Sequence, residues 1–136
     1  MLATLTRGEG LLQLHGWQSW GCGLWGQLDH SLLDQWSPMH AAAGTLQFVW
    51  LGRWGYLSNL VLHVLWECFE NTNGVVYFFT QLGFPRYGGD SVLNSAGDLL
   101  SFSLGFGLAT FLPAQPTVLV LALTGLLAGA SPFPQN

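Results

Sequence analysis

The chain has 136 residues, of which 50% are apolar and only 7% are charged. Soluble domains carry roughly 25% charged residues, so the composition argues against an ordinary soluble fold and predicts an integral membrane protein. A very hydrophobic soluble domain is the alternative. Seven acids against three arginines give a formal net charge of −4, and without a basic patch nucleic acid is not an expected partner. The length predicts a single domain over residues 1–136.

Residues 1–36 are rich in glycine and tryptophan and have no clear helical or strand periodicity. We expect this stretch to be an interfacial segment, because tryptophan is enriched where membrane meets water. It does not read as a cleaved signal peptide, so insertion is expected to rely on the later helices. A truncated start that lacks an earlier helix is the alternative. Cys22 and Cys68 form no CxxC pair, so neither a disulfide nor a zinc knuckle is indicated.

Four apolar segments follow, and each is predicted to be a short transmembrane helix. A full crossing needs about 20 residues, and several of these segments are shorter. The predicted fold is therefore all-α, a polytopic integral membrane bundle of about four short transmembrane helices. The spans are predicted at about residues 38–52, 54–71, 91–112 and 116–130.

Local signals fix the starts of two of these spans. Ser37 followed by Pro38 is typical of a helix start, since serine caps free N–H groups and proline suits the first turn. Asp90 or Ser91 is expected to cap the third span. The apolar stretch at residues 75–84 either prolongs the second span or forms a half-buried segment of its own.

Short connections imply an up-and-down bundle, which brings the start of the first span, the end of the second and the start of the third to one membrane face. Polar residues concentrate at these three ends. On the second span they recur at i, i+4 and i+7/8, and on the third at every fourth residue, so each helix presents them on one face. The predicted cluster comprises His40, His63, Glu67, Glu70, Asn71, Asp90, Asn94 and Asp98.

Ionisable residues within a membrane span cost about 3 kcal/mol each and are by default functional candidates. Our first hypothesis is a site, open to one face, that binds a lipid headgroup, a small polar ligand or a cation. The catalytic or ligand candidates are Glu67, Glu70, Asp98 and His40, and the ligand-binding candidates are Asn71, Asp90, Asn94 and His63. The sequence leaves enzymatic activity, cofactor and metal open.

Our second hypothesis is a non-catalytic structural or assembly subunit of a membrane complex, in which the polar cluster only fixes helix register. Small residues recur every fourth position on the third span, at Gly97, Ser101, Gly105 and Ala109. Such a ridge lets another helix approach closely, and the second span is the expected neighbour. The lipid bilayer is the expected surrounding, and a homo-oligomer or partner subunits of a complex are left open.

Two motifs, WECFEN at residues 66–71 and YGGDSVLNSAGD at residues 87–98, resemble an uncharacterised family of bacterial inner-membrane proteins, domain of unknown function 2585. Residues 34–44 and 22–26 are similar more weakly. The resemblance implies a polytopic protein of the bacterial inner (cell) membrane and directs attention to the acids and asparagines of the cluster. It implies no activity. The family has basic residues where this chain reads VVYFFT at residues 75–80, a second cysteine and an extra N-terminal helix, so no role of those groups is carried over.

Overall fold

A computed structural model describes residues 17, 20, 21, 23, 24, 30–84 and 87–111. These residues contain four α-helices, one 3-10 helix and no β-strand, which confirms the all-α prediction for this part of the chain. In chain order the elements are α1 (Ser37–Leu51), a 3-10 helix (Gly52–Trp54), α2 (Tyr56–Glu70), α3 (Asn73–Gln81) and α4 (Val92–Phe111).

The starts of α1 and α4 follow the local sequence signals with one change. Trp36 occupies the N-cap position of α1, and Pro38 lies in the first turn, where its missing N–H is not needed. Ser37 is therefore not the cap, and its hydroxyl instead accepts a backbone N–H from the preceding loop. In α4 the prediction is confirmed for Ser91, whose hydroxyl accepts the N–H of Asn94 at 3.1 Å.

The small-residue ridge of α4 packs mainly against α1 and not against α2, which corrects the expected neighbour. A Cβ atom on Gly105 would meet the carbonyl oxygen of Ala41, and one on Gly44 would meet that of Phe102. The Thr45 hydroxyl also donates to the Gly105 carbonyl at 3.2 Å. The physical reason is that α1 supplies small residues of its own at the contact, whereas the inward face of α2 carries larger polar side chains.

Helix α2 turns its polar face inward and its apolar face outward. Its four buried residues, Asn59, His63, Glu67 and Glu70, are all polar. Large apolar side chains between them are exposed, among them Leu57, Val61, Leu65, Trp66 and Phe69. The contacts of α2 with α4 run in opposite chain directions, from Asn71 with Asp90 at one end to Tyr56 with Ser103 at the other.

The stretch after α2 forms a separate helix, which resolves the alternative at residues 75–84. Asn71 ends α2, and Thr72 adopts an extended backbone conformation before α3 begins. The ring of Phe79 on α3 then contacts the rings of Phe84 and Tyr87 in the connection to α4. This connection therefore lies beside the start of α4.

Among the described residues, α4 alone is long and apolar enough to cross a membrane. Helices α1 and α2 have 15 residues each, fewer than the about 20 that a straight crossing needs. The four-span prediction is thus supported in one helix. The predicted span at residues 116–130 and most of the interfacial segment 1–36 lie outside the described residues.

Candidate functional site

The interior of the helical bundle is largely polar. Buried polar and charged side chains outnumber buried apolar ones among the described residues, the reverse of what burial preferences give in soluble domains. All eight residues of the sequence-predicted cluster are buried: His40, His63, Glu67, Glu70, Asn71, Asp90, Asn94 and Asp98. The three helix ends that connectivity was expected to bring together therefore do enclose polar side chains.

Two histidines and a glutamate form a compact triangle at the centre. His40 Nδ1 on α1 lies 3.1 Å from His63 Nε2 on α2. Glu67 Oε1, one helical turn after His63, lies 3.5 Å from each of these two nitrogen atoms. Three potential metal-donor atoms from two helices therefore converge at one point, where a single ion could contact all of them.

The orientation of both imidazole rings is held by neighbours on α4. The second nitrogen of His40, Nε2, faces Asp98 Oδ1 at 3.7 Å. The ring of His63 stacks on Phe102, with ring centroids 4.1 Å apart and planes inclined by 13°. Asp98 therefore lies behind His40 and outside the triangle, on the side from which a carboxylate that approached to hydrogen-bond distance would fix the tautomer of a metal-binding histidine.

A second set of donors adjoins the first and consists of carboxyl groups alone. Oxygen atoms of Glu67, Glu70 and Asp90 lie within 4.8 Å of one another. Glu67 and Glu70 lie within side-chain hydrogen-bond reach of each other. As carboxylates both only accept, so neither oxygen of Glu67 receives a hydrogen bond, nor does Glu70 Oε1. The Ser95 hydroxyl is close to Glu67 without changing this result. Leaving buried polar atoms without a partner costs free energy, so these oxygens are unusual for a folded interior.

Asp90 forms two hydrogen bonds with Asn71, the residue at the end of α2. The side-chain amide of Asn71 donates to Asp90 Oδ2 at 3.0 Å, and its carbonyl accepts the Asp90 backbone N–H at 2.6 Å. Tyr87 OH also donates to Oδ2, at 3.3 Å. Burial raises the pKa of the Asp90 carboxyl from 3.8 to about 6, although the hydrogen bonds from Asn71 and Tyr87 oppose the rise.

Two other predicted or nearby polar residues serve the scaffold. The amide of Asn94 donates to the carbonyl of Ser31 at 2.8 Å, which ties α4 to the loop before α1. The buried carboxylate of Asp34 accepts the backbone N–H of Trp36 at 2.8 Å. Neither residue belongs to a metal-donor set.

A cavity of about 50 Å³ opens beside both donor sets. That volume holds roughly one to a few water molecules. Its lining includes polar residues of the cluster and apolar or aromatic residues: His40, Glu70, Asp90, Asn94 and Asp98 among the former, and Trp36, Met39, Phe79, Phe84 and Tyr87 among the latter. This cavity could therefore admit water or a small ligand to the donor atoms. Phe79 of α3 and residues just before α4 contribute to its lining.

Sequence reasoning missed three residues that shape the site. Phe102 supports His63, Tyr87 holds Asp90, and Ser95 lies beside Glu67 while accepting a hydrogen bond from the Trp17 indole at 2.8 Å. Ser95 and Phe102 share the inward face of α4 with Asp98, so the helical spacing could have identified them. No sequence signal links Tyr87 with Asp90 beyond their proximity in the chain.

Comparison with known proteins gives a consistent family result. The sequence profile of a family described as "Protein of unknown function (DUF2585)" matches residues 17–131. A UPF0314 protein of Rhizobium meliloti is 34% identical across 72% of this chain and 54% of its own length. UPF0314 proteins of Agrobacterium fabrum (30% identity, 72% and 54%) and Paracoccus denitrificans (29%, 66% and 51%) also match.

The chain spans about half the length of these curated relatives. No solved structure matches it significantly. The family resemblance inferred from the two motifs is confirmed.

Proposed function

We propose that this chain, which belongs to the DUF2585 family of proteins of unknown function, binds a divalent transition-metal ion between His40, His63 and Glu67. The observation that carries the proposal is the mutual spacing of the three donor atoms. Metal–nitrogen and metal–oxygen bonds of about 2.0–2.2 Å place two donors on one ion about 3.0–3.5 Å apart. The separations here are 3.1, 3.5 and 3.5 Å.

Hydrogen bonding by itself accounts poorly for the same triangle. A neutral imidazole has one N–H and one lone pair, so the contact between His40 Nδ1 and His63 Nε2 uses at most one proton. Both contacts to Glu67 Oε1 are 3.5 Å, longer than the 2.7–3.2 Å typical of an N–H···O bond. A cation would interact favourably with the lone pairs of all three groups at once.

The surroundings of the triangle also suit metal binding. A proton on His40 Nε2 would point at Asp98 and leave the Nδ1 lone pair for the ion. Two imidazoles and one carboxylate are donors that Fe²⁺, Mn²⁺ and Zn²⁺ accept, whereas Ca²⁺ and Mg²⁺ prefer oxygen ligands alone. The adjoining cavity would provide room for water or a small ligand at the remaining coordination positions.

We also propose that this centre lies inside a membrane. The outward side chains of α2 and α4 are largely apolar, among them Leu57, Leu65, Leu100, Leu104 and Phe111. An apolar exterior around a polar interior suits lipid surroundings, because exposed apolar patches of this kind are rare on soluble monomers. The relatives are bacterial, and the membrane proposed here is the bacterial inner membrane.

Metal analysis of the detergent-purified protein tests the binding proposal. Wild type and the variants His63→Gln and Glu67→Gln would be stripped with chelator, reloaded with Zn²⁺ and desalted before elemental analysis. We expect bound zinc in wild type and its loss in both variants. His30→Gln is the matched control, because His30 belongs to no donor set of the described residues.

A folded wild type that retains no metal would overturn the proposal. The same chain would then be better explained as a non-catalytic structural or assembly subunit, with the buried polar groups fixing helix register. The bonds that tie Asn71 to Asp90 and Asn94 to Ser31 favour that second function, since each joins separate segments through buried side chains.

A further inference from the structure

The carboxyl groups of Glu67, Glu70 and Asp90 form a donor set that the proposed metal ion does not use fully. Both glutamates are more than nine-tenths buried, with exposed fractions of 2% and 7%. Glu67 Oε1 faces the two histidines, while Glu67 Oε2 and Glu70 Oε1 receive no hydrogen bond when both carboxyl groups are ionised. A proton shared between Glu67 and Glu70, which lie within hydrogen-bond reach of each other, is the competing occupant. These oxygens point to a second ligand beside the first.

We infer that the metal centre proposed above, on which this inference rests, is dinuclear, with a second divalent cation held by Glu67, Glu70 and Asp90. Glu67 belongs to both donor sets and would bridge the two ions. Carboxylate-bridged ions in two-metal sites lie about 3.5–4 Å apart. The second set has oxygen atoms within 4.8 Å of one another, which is compact enough for one ion to draw them together.

Two divalent cations would balance the charge of the four neighbouring carboxyl groups once these have lost their protons. Glu67, Glu70, Asp90 and Asp98 supply up to four negative charges in one buried region. One divalent ion would compensate two of them, and a second would compensate the rest. Arg53, the one arginine among the described residues, is exposed in the 3-10 helix beyond the far end of α1 and does not serve this purpose. Buried charges without compensation are strongly unfavourable.

The two positions differ in the chemistry of their donors. The first offers two imidazole nitrogens and a carboxylate, and the second offers only carboxylates. Oxygen-only sites favour harder cations such as Mn²⁺, whereas mixed sites accept Mn²⁺, Fe²⁺ and Zn²⁺. Manganese is therefore the probe that both positions should accept, and the cavity beside Glu70 and Asp90 leaves room for its water ligands.

Electron paramagnetic resonance of the manganese-loaded protein tests the inference. Wild type, Glu70→Gln and Asp90→Asn would be stripped, reloaded with Mn²⁺ in detergent and analysed for bound metal. We expect two ions per chain with a magnetically coupled spectrum in wild type, and one ion with an uncoupled spectrum in each variant. Asp34→Asn is the control, because it removes a buried carboxyl that belongs to neither donor set, and it should keep two coupled ions.

The outcomes separate this inference from the proposed function. One uncoupled ion in wild type that Glu70→Gln also binds would overturn the second position and leave the first intact. Two ions without magnetic coupling would overturn the bridge through Glu67. A wild type that binds no manganese and no zinc would overturn both proposals. Circular dichroism would show whether Glu70→Gln and Asp90→Asn are folded. If one of them misfolds, the other still tests the second position.

Discussion

Helix α4 packs against two helices, and the residues at the two interfaces differ in size and polarity. Towards α1 the contact consists of small residues, with Gly105 against the Ala41 carbonyl and Gly44 against that of Phe102. Towards α2 it consists of buried polar side chains, including His63 and Glu67. The first interface is closed by backbone contact, while the second contains carboxyl oxygens that receive no hydrogen bond when ionised. The comparison indicates that the α1–α4 pair is the rigid frame and that α2 completes the site.

The largest effect is expected when one methyl group is added at the contact between α1 and α4. Gly105→Ala should destabilise the protein by about 3 kcal/mol or more, because the methyl overlaps a backbone atom that cannot rotate away. Gly107→Ala on the same helix has open space at its Cβ and should be neutral or stabilising by up to about 1 kcal/mol. Unfolding in detergent with increasing SDS measures both. Equal stability of the two variants would contradict the assignment of the frame.

Metal should stabilise the protein by joining α2 to α1 through His40, His63 and Glu67. At a free Mn²⁺ concentration about 100 times the dissociation constant, binding to the folded state alone adds about 2.7 kcal/mol to the free energy of unfolding. Glu67→Gln should lose this gain and His30→Gln should keep it. The measurement is the melting temperature with and without Mn²⁺. A gain of equal size in Glu67→Gln would place the ion elsewhere.

A smaller effect should come from the carboxylate behind His40. Asp98→Asn removes the charge that faces His40 Nε2 and should weaken metal binding by about 10- to 100-fold. At saturating metal the number of bound ions should not change, because Asp98 is not in either donor set. Competition with a chelator of known affinity measures the change. Loss of an ion at saturation would instead make Asp98 a direct ligand.

A further prediction concerns the pH dependence that Asp90 gives to the metal-free protein. Its pKa rises from 3.8 to about 6 on folding, so the folded state binds the proton more tightly than the unfolded state. The stabilisation is fully present below about pH 4 and is lost as the pH rises through about 6. Melting temperatures in EDTA across this range, with Asp90→Asn as the reference, measure it. A wild type that gains stability relative to Asp90→Asn as the pH rises would reverse the assigned sign.

The sequence predicted more of the cluster than of the packing that surrounds it. Asp90, Asn94 and Asp98 recur at every fourth position, which predicted that they share one helix face. Ser91 was one of the two residues predicted to cap the start of α4, and its hydroxyl does so. The separate helix α3 was left undecided, because local signals after Asn71 were compatible with either continuation or a break. The expected pairing of the ridge with the second span was wrong, since a stripe of small residues specifies close approach without specifying a partner.

By itself the sequence determined the helical class, the family and the polar residues that gather at one end of the bundle, because periodicity, chain connectivity and motifs are local properties. The tertiary structure alone decided that α1 packs on the ridge, that His40 meets His63 across two helices, and that Asp98 stands behind His40. These contacts join residues distant in the chain, and their distances depend on how closely the helices pack. Donor spacings that suit a metal ion therefore emerge only when the frame brings α1, α2 and α4 together.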